Sequence, residues 1–156
     1  MTYRIREASE SDIPLLIRFN HQTMVETESL KIPIEDRERG VRYVFSQNQR
    51  YFKYFIVSNS EENDSPVGSF LIQPEWSDWR GKWVVWLHSV YVEKPYRGKS
   101  VFKEIQDFLE TLLRADSNVI GMRLYVERGN LRAKKAYLKT NYDDGHYDLF
   151  EKMFYS

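Results

Sequence analysis

The sequence predicts an α/β fold, a mixed sheet of about six to seven strands flanked by about four helices, and three observations carry that expectation. Trp83 to Val92 (WVVWLHSVYV) is nearly all apolar, the mark of a central strand covered on both faces. Val101, Ile105, Phe108, Leu109, Leu112 and Leu113 recur at the spacing of one buried helix face. Tyr51 to Ser58 and Val67 to Gln73 are rich in aromatic and β-branched residues and flank the polar stretch SNSEENDSP, so they read as an antiparallel hairpin.

The remaining elements fall between these. Thr2 to Arg6 alternates in character and reads as a strand, after which Ser9-Glu10-Ser11-Asp12 offers helix caps and Pro14 suits the first turn of a helix running to about Glu26. Ile34 to Ser46 reads as a second helix, with sparse apolar positions at Ile34, Val41, Val44 and Phe45 and Gly40 inside it. Pro95 ends the central strand, and the long helix begins near Gly98. Val119 to Glu127 reads as a strand, Leu131 to Thr140 as a helix and Tyr147 to Phe154 as a last strand. The order β-α-α-β-β-β-α-β-α-β contains no repeat and no low-complexity segment, which predicts a single domain over residues 1–156.

Composition narrows the function classes. With 42% hydrophobic and 15% aromatic residues the chain can close a core. Its 23 basic and 23 acidic residues balance, so no global field draws it to nucleic acid or to an anionic membrane. The absence of cysteine excludes disulfides, a cysteine nucleophile and thiolate zinc sites, and leaves only His21, His88 and His146 as nitrogen ligands, so no metal is expected. The N-terminus MTYRIREASESD is charged and lacks an apolar core segment, and Trp83 to Val92 is too short to cross a bilayer, which predicts a cytoplasmic protein without a membrane partner.

The chemistry concentrates after the central strand. Val92-Glu93-Lys94-Pro95-Tyr96-Arg97-Gly98-Lys99-Ser100-Val101 runs from a buried strand into a helix N-terminus, where unpaired amides and the helix dipole favour a bound phosphate and Arg97 and Lys99 add positive charge. Gly98-Lys99-Ser100 matches the end of a nucleotide P-loop, but that pattern needs glycine where Glu93 stands, so the P-loop reading fails. A plain strand-helix turn with a capping glycine is the alternative.

Downstream, Tyr125-Val126-Glu127 ends the next strand, Asn130 and Ala133 precede Tyr137, and Asn141-Tyr142 closes the helix. Together, HSVYVEKPYRGKSVFKEIQDFL and LYVERGNLRAKKAYLKTNYDDGHYDLFEKMF resemble the two cofactor-binding motifs of the GNAT superfamily of N-acetyltransferases, and MVETE, EWSDWRG and LYVERGN resemble one bacterial small-molecule-type subgroup. The resemblance implies an acetyl-CoA-dependent enzyme. Its R-x-x-G-x-[GA] pyrophosphate turn maps onto Arg97, Gly98, Lys99, Ser100, Val101 and Phe102, with Ser100 replacing the central glycine and offering a hydroxyl donor instead, and Phe102 replacing the final small residue and reading as a core-facing side chain. It also implies that the pantetheine arm runs along Val90, Tyr91 and Val92, that Asn130 contacts it, that Arg132, Lys134 or Lys135 meets the adenosine phosphate, and that Tyr137 is the general acid; the other readings are a solvated basic face on a short helix and a tyrosine packed under the last strand.

Elementary chemistry sets the demands on such a site. An alkylamine of pKa ~10.4 is protonated at neutral pH and must be freed, and a departing thiolate needs a proton that a tyrosine hydroxyl of pKa roughly 10 can supply. For the base, His88 stands where serotonin N-acetyltransferases, similar in fold, carry a catalytic histidine; a buried structural histidine is the other reading. Glu26 and Glu28 lie where the first helix ends near the acceptor groove of this fold, but a spacing of two puts them on different faces, so at most one reaches the site as base or acceptor ligand. Trp76 and Trp79 flank Asp78 and either box an ammonium by cation–π contact or cover the sheet edge. The expected acceptor is a small-molecule or peptide amine. Exposed strand edges and the aromatic excess admit a homodimer. The rival expectation is a catalytically silent acyl-CoA-binding module of the same fold, motivated by Ser100 and Phe102.

Overall fold

The computed structural model describes residues 2–28, 32–145 and 147–154, with the side chains of Thr27 and Glu28 excepted. His146 and the Glu28 side chain, both raised by the sequence, lie outside the described residues. Strand β1 (Tyr3–Glu7) leads into a 3-10 turn and helix α1 (Ile13–Thr23), which continues as a π-helical turn over Met24–Glu28; helix α2 (Ile34–Ser46) follows. Strands β2 (Lys53–Asn59), β3 (Ser65–Ser77) and β4 (Lys82–Val92) form a meander, and a 3-10 turn at Lys94–Tyr96 leads to helix α3 (Val101–Arg114), strand β5 (Val119–Arg123) and helix α4 (Leu131–Lys139). The sheet order is β1-β2-β3-β4-β5, antiparallel except for the parallel pair β4–β5.

The α1 start is fixed by charge as well as by capping. Ser9 donates its main-chain N–H to Asp12 Oδ2 at 2.8 Å, and Arg6 forks onto the same carboxylate at 2.7 and 2.8 Å. That pairing holds the Asp12 carboxyl down at about 2. The alternation of β2 then divides the core between two layers. Phe55 and Val57 join Phe70, Ile72, Val85 and Leu87 under Val101, Ile105, Leu109 and Leu113 of α3. Tyr54 and Ile56 face the other way, with Leu71, onto Ile13 and Leu16 of α1 and Val41 and Val44 of α2. On β4, Val85 and Leu87 join the α3 layer, and Tyr91 packs on Phe19 of α1 at 4.8 Å between ring centres, so helices of both layers meet the strand.

The sheet has five strands among the described residues, not six to seven. Residues 147–154 form no strand, and Phe150 and Phe154 are 91% and 81% exposed. An alternating segment becomes a strand only where an edge accepts it, and β5 offers five residues that pair with β4 alone. The fifth strand is also shorter than expected, ending at Arg123 rather than Glu127, because its last partner on β4 is Trp86.

Beyond Trp86, β4 is bent. Its register with β3 passes from Leu71↔His88 to Ser69↔Tyr91, so three steps on β4 match two on β3, and Ser89 sits at φ 50. This β-bulge turns the strand away from β5 and ends their ladder. Gly68 accommodates it: a Cβ there would lie 2.5 Å from the Tyr91 carbonyl oxygen, a contact no backbone tolerates. Gly68→Ala is therefore expected to destabilise the fold by ~1–3 kcal/mol, read as a lower thermal midpoint by circular dichroism.

Candidate active site

Two cavities open on either side of the place where β4 leaves β5. The larger, about 970 Å³, lies between the β4–α3 turn and α4 and is lined by Val90, Tyr91, Val92, Arg97, Gly98, Ser100, Val101, Phe102, Asn130 and Tyr137, among others. The second, about 630 Å³, lies under α1 and α2 and is lined by Asn20, Asp36, Arg37, Gln73, His88, Tyr125 and Glu127 together with apolar side chains of α2 and the sheet. Thr23, Val90, Glu127, Asn130 and Tyr137 line both. These five residues mark the junction.

The turn before α3 is built on two left-handed residues, Gly98 at φ 78 and Ser100 at φ 65, the latter serving as N-cap without a side-chain bond. Arg97 is held in place by its Nε, which donates to the Val92 carbonyl at 2.8 Å, and its guanidinium lies 5.7 Å from the Tyr91 ring centre. Glu26 meets it from the end of α1: its carboxylate pairs with Arg97 at 2.7 Å and with Lys94 at 3.6 Å, and its side chain is 20% exposed. Glu26 thus lines the larger cavity, committed to two cations, rather than the second one. Arg132 lines the larger cavity near Gly98, whereas Lys99 and Lys134 do not line it. Lys99 reaches over the Tyr96 ring, and Lys134 donates to the Arg128 carbonyl at 2.8 Å.

Around the junction the groups are ordered by packing. Asn130 caps α4, accepting from Ala133 N at 3.1 Å, which leaves its amide nitrogen for a ligand. Tyr137, about two turns further on, leans on Phe102 at 5.1 Å between ring centres and has Tyr142 at 6.0 Å. Burial raises the Tyr137 hydroxyl above its usual range, keeping it protonated. Phe102, which departs from the small residue of the family turn, therefore supplies the surface on which Tyr137 rests. His88 is stacked at 5.7 Å on Trp86 and 5.2 Å from Tyr125, and burial lowers its pKa, so its imidazole is neutral at pH 7.

The two tryptophans expected near the acceptor line neither cavity. Trp76 packs edge-on against Trp83 and is 51% exposed, while Trp79, 86% exposed, sits in the turn between β3 and β4. Glu75 is engaged by the Trp86 indole N–H and by Arg123 at 3.2 Å. Sequence reasoning passed over Thr23, Arg37, Gln73 and Ser89, since nothing in local pattern distinguishes them; Glu127 sat within the quoted YVERGN. No group of three or more His, Asp or Glu residues able to hold a metal is found among the described residues.

The sequence profile of the "Acetyltransferase (GNAT) family" matches residues 21–142. The chain belongs to that family. Among solved structures, the GNAT chain is similar over its whole length to a possible acetyltransferase from Clostridium difficile 630, with 31% identity, full coverage of both chains and a TM-score of 0.87. A predicted acetyltransferase from Clostridium acetobutylicum, solved with acetyl-CoA, shares the fold at TM-score 0.77 and 17% identity, covering 97% of this chain and 96% of that one. Glucosamine-6-phosphate N-acetyltransferase from Arabidopsis thaliana does so at TM-score 0.73 and 18% identity, with 99% of each chain covered. No curated protein matches the GNAT chain. No helix among the described residues is long and apolar enough to cross a membrane.

The left-handed backbone at Ser100 has a measurable cost, since a Cβ in that conformation is unfavourable by about 1–2 kcal/mol. Ser100→Gly is expected to raise stability by up to ~1 kcal/mol after the greater chain entropy of glycine is subtracted, read as a higher urea midpoint with an unchanged slope.

Proposed function

We propose that this GNAT protein is an acetyl-CoA-dependent N-acetyltransferase that acetylates a primary amine by direct attack in a ternary complex. The observation that carries the reading is the junction: two cavities of unequal character share Thr23, Val90, Glu127, Asn130 and Tyr137. Two ligands entering from opposite sides would meet there.

The larger cavity fits acetyl-CoA by its donor set. The first amides of α3, with Arg97 and Arg132 beside them, suit a pyrophosphate and a further phosphate. Past Trp86, β4 has no strand on its β5 side among the described residues, so an extended chain carrying amides can pair with Val90, Tyr91 and Val92. Acetyl-CoA, when bound, supplies a thioester-activated acetyl group. The chain supplies the rest. His88, neutral at pH 7, accepts the proton of the incoming ammonium directly or through water. A main-chain amide of the bulged stretch at Ser89 and Val90, which stand opposite no residue of β3, meets the charge that builds on the carbonyl oxygen. As the carbon–sulfur bond breaks, Tyr137 donates its proton to the leaving sulfur and recovers one, directly or through water, from the nitrogen of the tetrahedral intermediate as the amide forms, while Asn130 orients the arm through its free amide nitrogen.

The test is thiol release from acetyl-CoA in the presence of a panel of primary amines, with the acetylated product identified by mass. Amine-dependent release supports the reading, whereas tight CoA binding with no release on any amine favours a silent binding module. In the active protein, Tyr137→Phe keeps the ring against Phe102 and loses the acid, so turnover is expected to fall by ~10²–10⁴-fold with CoA affinity unchanged by calorimetry. Glu26→Gln has the opposite emphasis. Removing a carboxylate that competes for Arg97 is expected to tighten CoA binding by about fivefold, the ~1 kcal/mol of a partly exposed pair, while the Michaelis constant for the amine stays the same.

A further inference from the structure

The second cavity carries an unmatched charge. Its wall is mostly apolar, with Ile32, Val41, Val44, Phe52, Leu71 and Leu87 contributing. Of the charged residues that reach it, Asp36 is paired with Arg39 at 2.7 Å, and Glu127 accepts from Gly129 N at 2.8 Å. Arg37 has no ion pair with any described residue, and its Nε is buried without a hydrogen-bond partner. A second orphan stands in the same wall: Asn20 gives its amide nitrogen to the Tyr54 hydroxyl at 3.1 Å and leaves its Oδ1 buried and unpaired. A desolvated guanidinium donor with no acceptor is costly, and an apolar surround makes the pairing of that donor with an oxyanion stronger than it is in water.

Resting on the reading of this protein as an amine acetyltransferase, we propose that Arg37 receives an oxyanion of the acceptor, so that the substrate is an amine carrying an acidic group on an apolar body. Arg37 Nε and its guanidinium fork take the acid, and Asn20 Oδ1 takes an N–H or O–H of the same molecule. The acid and the amine are then bound in one cavity, with the amine left to face the junction at Tyr137. An acid is thereby added to the requirement for an amine, and it is read by Arg37 rather than by Glu26, Trp76 or Trp79, which line no part of this cavity.

Matched pairs of amines that differ in the acid alone provide the test: L-leucine against 3-methylbutylamine, L-phenylalanine against 2-phenylethylamine, 6-aminohexanoate against pentylamine, and glucosamine 6-phosphate against glucosamine. Each is titrated calorimetrically into the full chain, with and without saturating CoA. The acid-bearing member of at least one pair is expected to bind about tenfold to a hundredfold more tightly than its partner. Arg37→Gln is expected to abolish that preference without changing the affinity for CoA, and Arg37→Lys to restore part of it. A preference confined to glucosamine 6-phosphate assigns the oxyanion as phosphate rather than carboxylate. The proposal is overturned if no acid-bearing member outbinds its partner, or if the preference survives in Arg37→Gln. Failure of the unaltered protein to bind CoA would instead overturn the acetyltransferase reading, since the titrations without CoA judge Arg37 separately.

Discussion

Strand β4 is completed by β3 along its length but by β5 only as far as Trp86, and both cavities follow from that inequality. The bulge at Ser89 and Val90 bends the strand, and the absent Cβ of Gly68 gives the Tyr91 carbonyl its place. Once β4 has turned, residues 124–130 have no ladder to join and leave the sheet. Two helical layers that pack tightly on the intact part of the sheet then stand apart around the open part. A backbone displacement of one residue, set by one glycine on the neighbouring strand, separates a closed core from an accessible cleft.

Charge is distributed locally in a protein that is neutral as a whole. Asp12 is consumed by Arg6, Asp116 by Arg50 at 3.2 Å and the Tyr51 hydroxyl at 2.8 Å, and Glu26 by Arg97 and Lys94. The first two fix where helices begin and end. The third occupies Arg97 in the turn before α3, so the pair lowers the cost of holding that guanidinium half-buried. Arg37 lacks such a counterpart among the described residues, and the difference between the two arginines is what distinguishes the cavities electrostatically.

Much of this was legible from residue order, and the exceptions share a cause. The helix face from Val101 to Leu113, the bounds of α2 and the apolar β4 are properties of single segments, so periodicity finds them. The turn at Arg97–Ser100 was legible because its glycine and cations are adjacent in sequence. The segment 147–154 has strand-like alternation yet forms none, since pairing depends on a neighbour's free edge. Glu26 was placed near the correct helix end, but its partners, Arg97 and Lys94, lie some seventy residues along the chain. Trp76 and Trp79 carry the composition of a cation box, and only the meander shows that they belong to the far end of the β3–β4 hairpin. Phe102 reads from the sequence as a core-facing residue and does pack against the core, but that Tyr137 rests on it shows only in three dimensions.

Helix α4 carries Tyr137, yet none of its nine residues is fully buried, and its anchors are the Asn130 cap, the Phe102 contact and the Thr140 hydroxyl on the Ala136 and Tyr137 carbonyls. Its opening to solvent therefore exposes little apolar surface, which sets its amide exchange well below the protection of α3, with four aliphatic side chains sealed against the sheet. Molecules that fill the adjoining cleft add the contact area that α4 lacks. Occupancy of the cleft and the ordering of its acid-bearing helix then become a single thermodynamic event, in which each ligand that enters lowers the entropic cost left for the next.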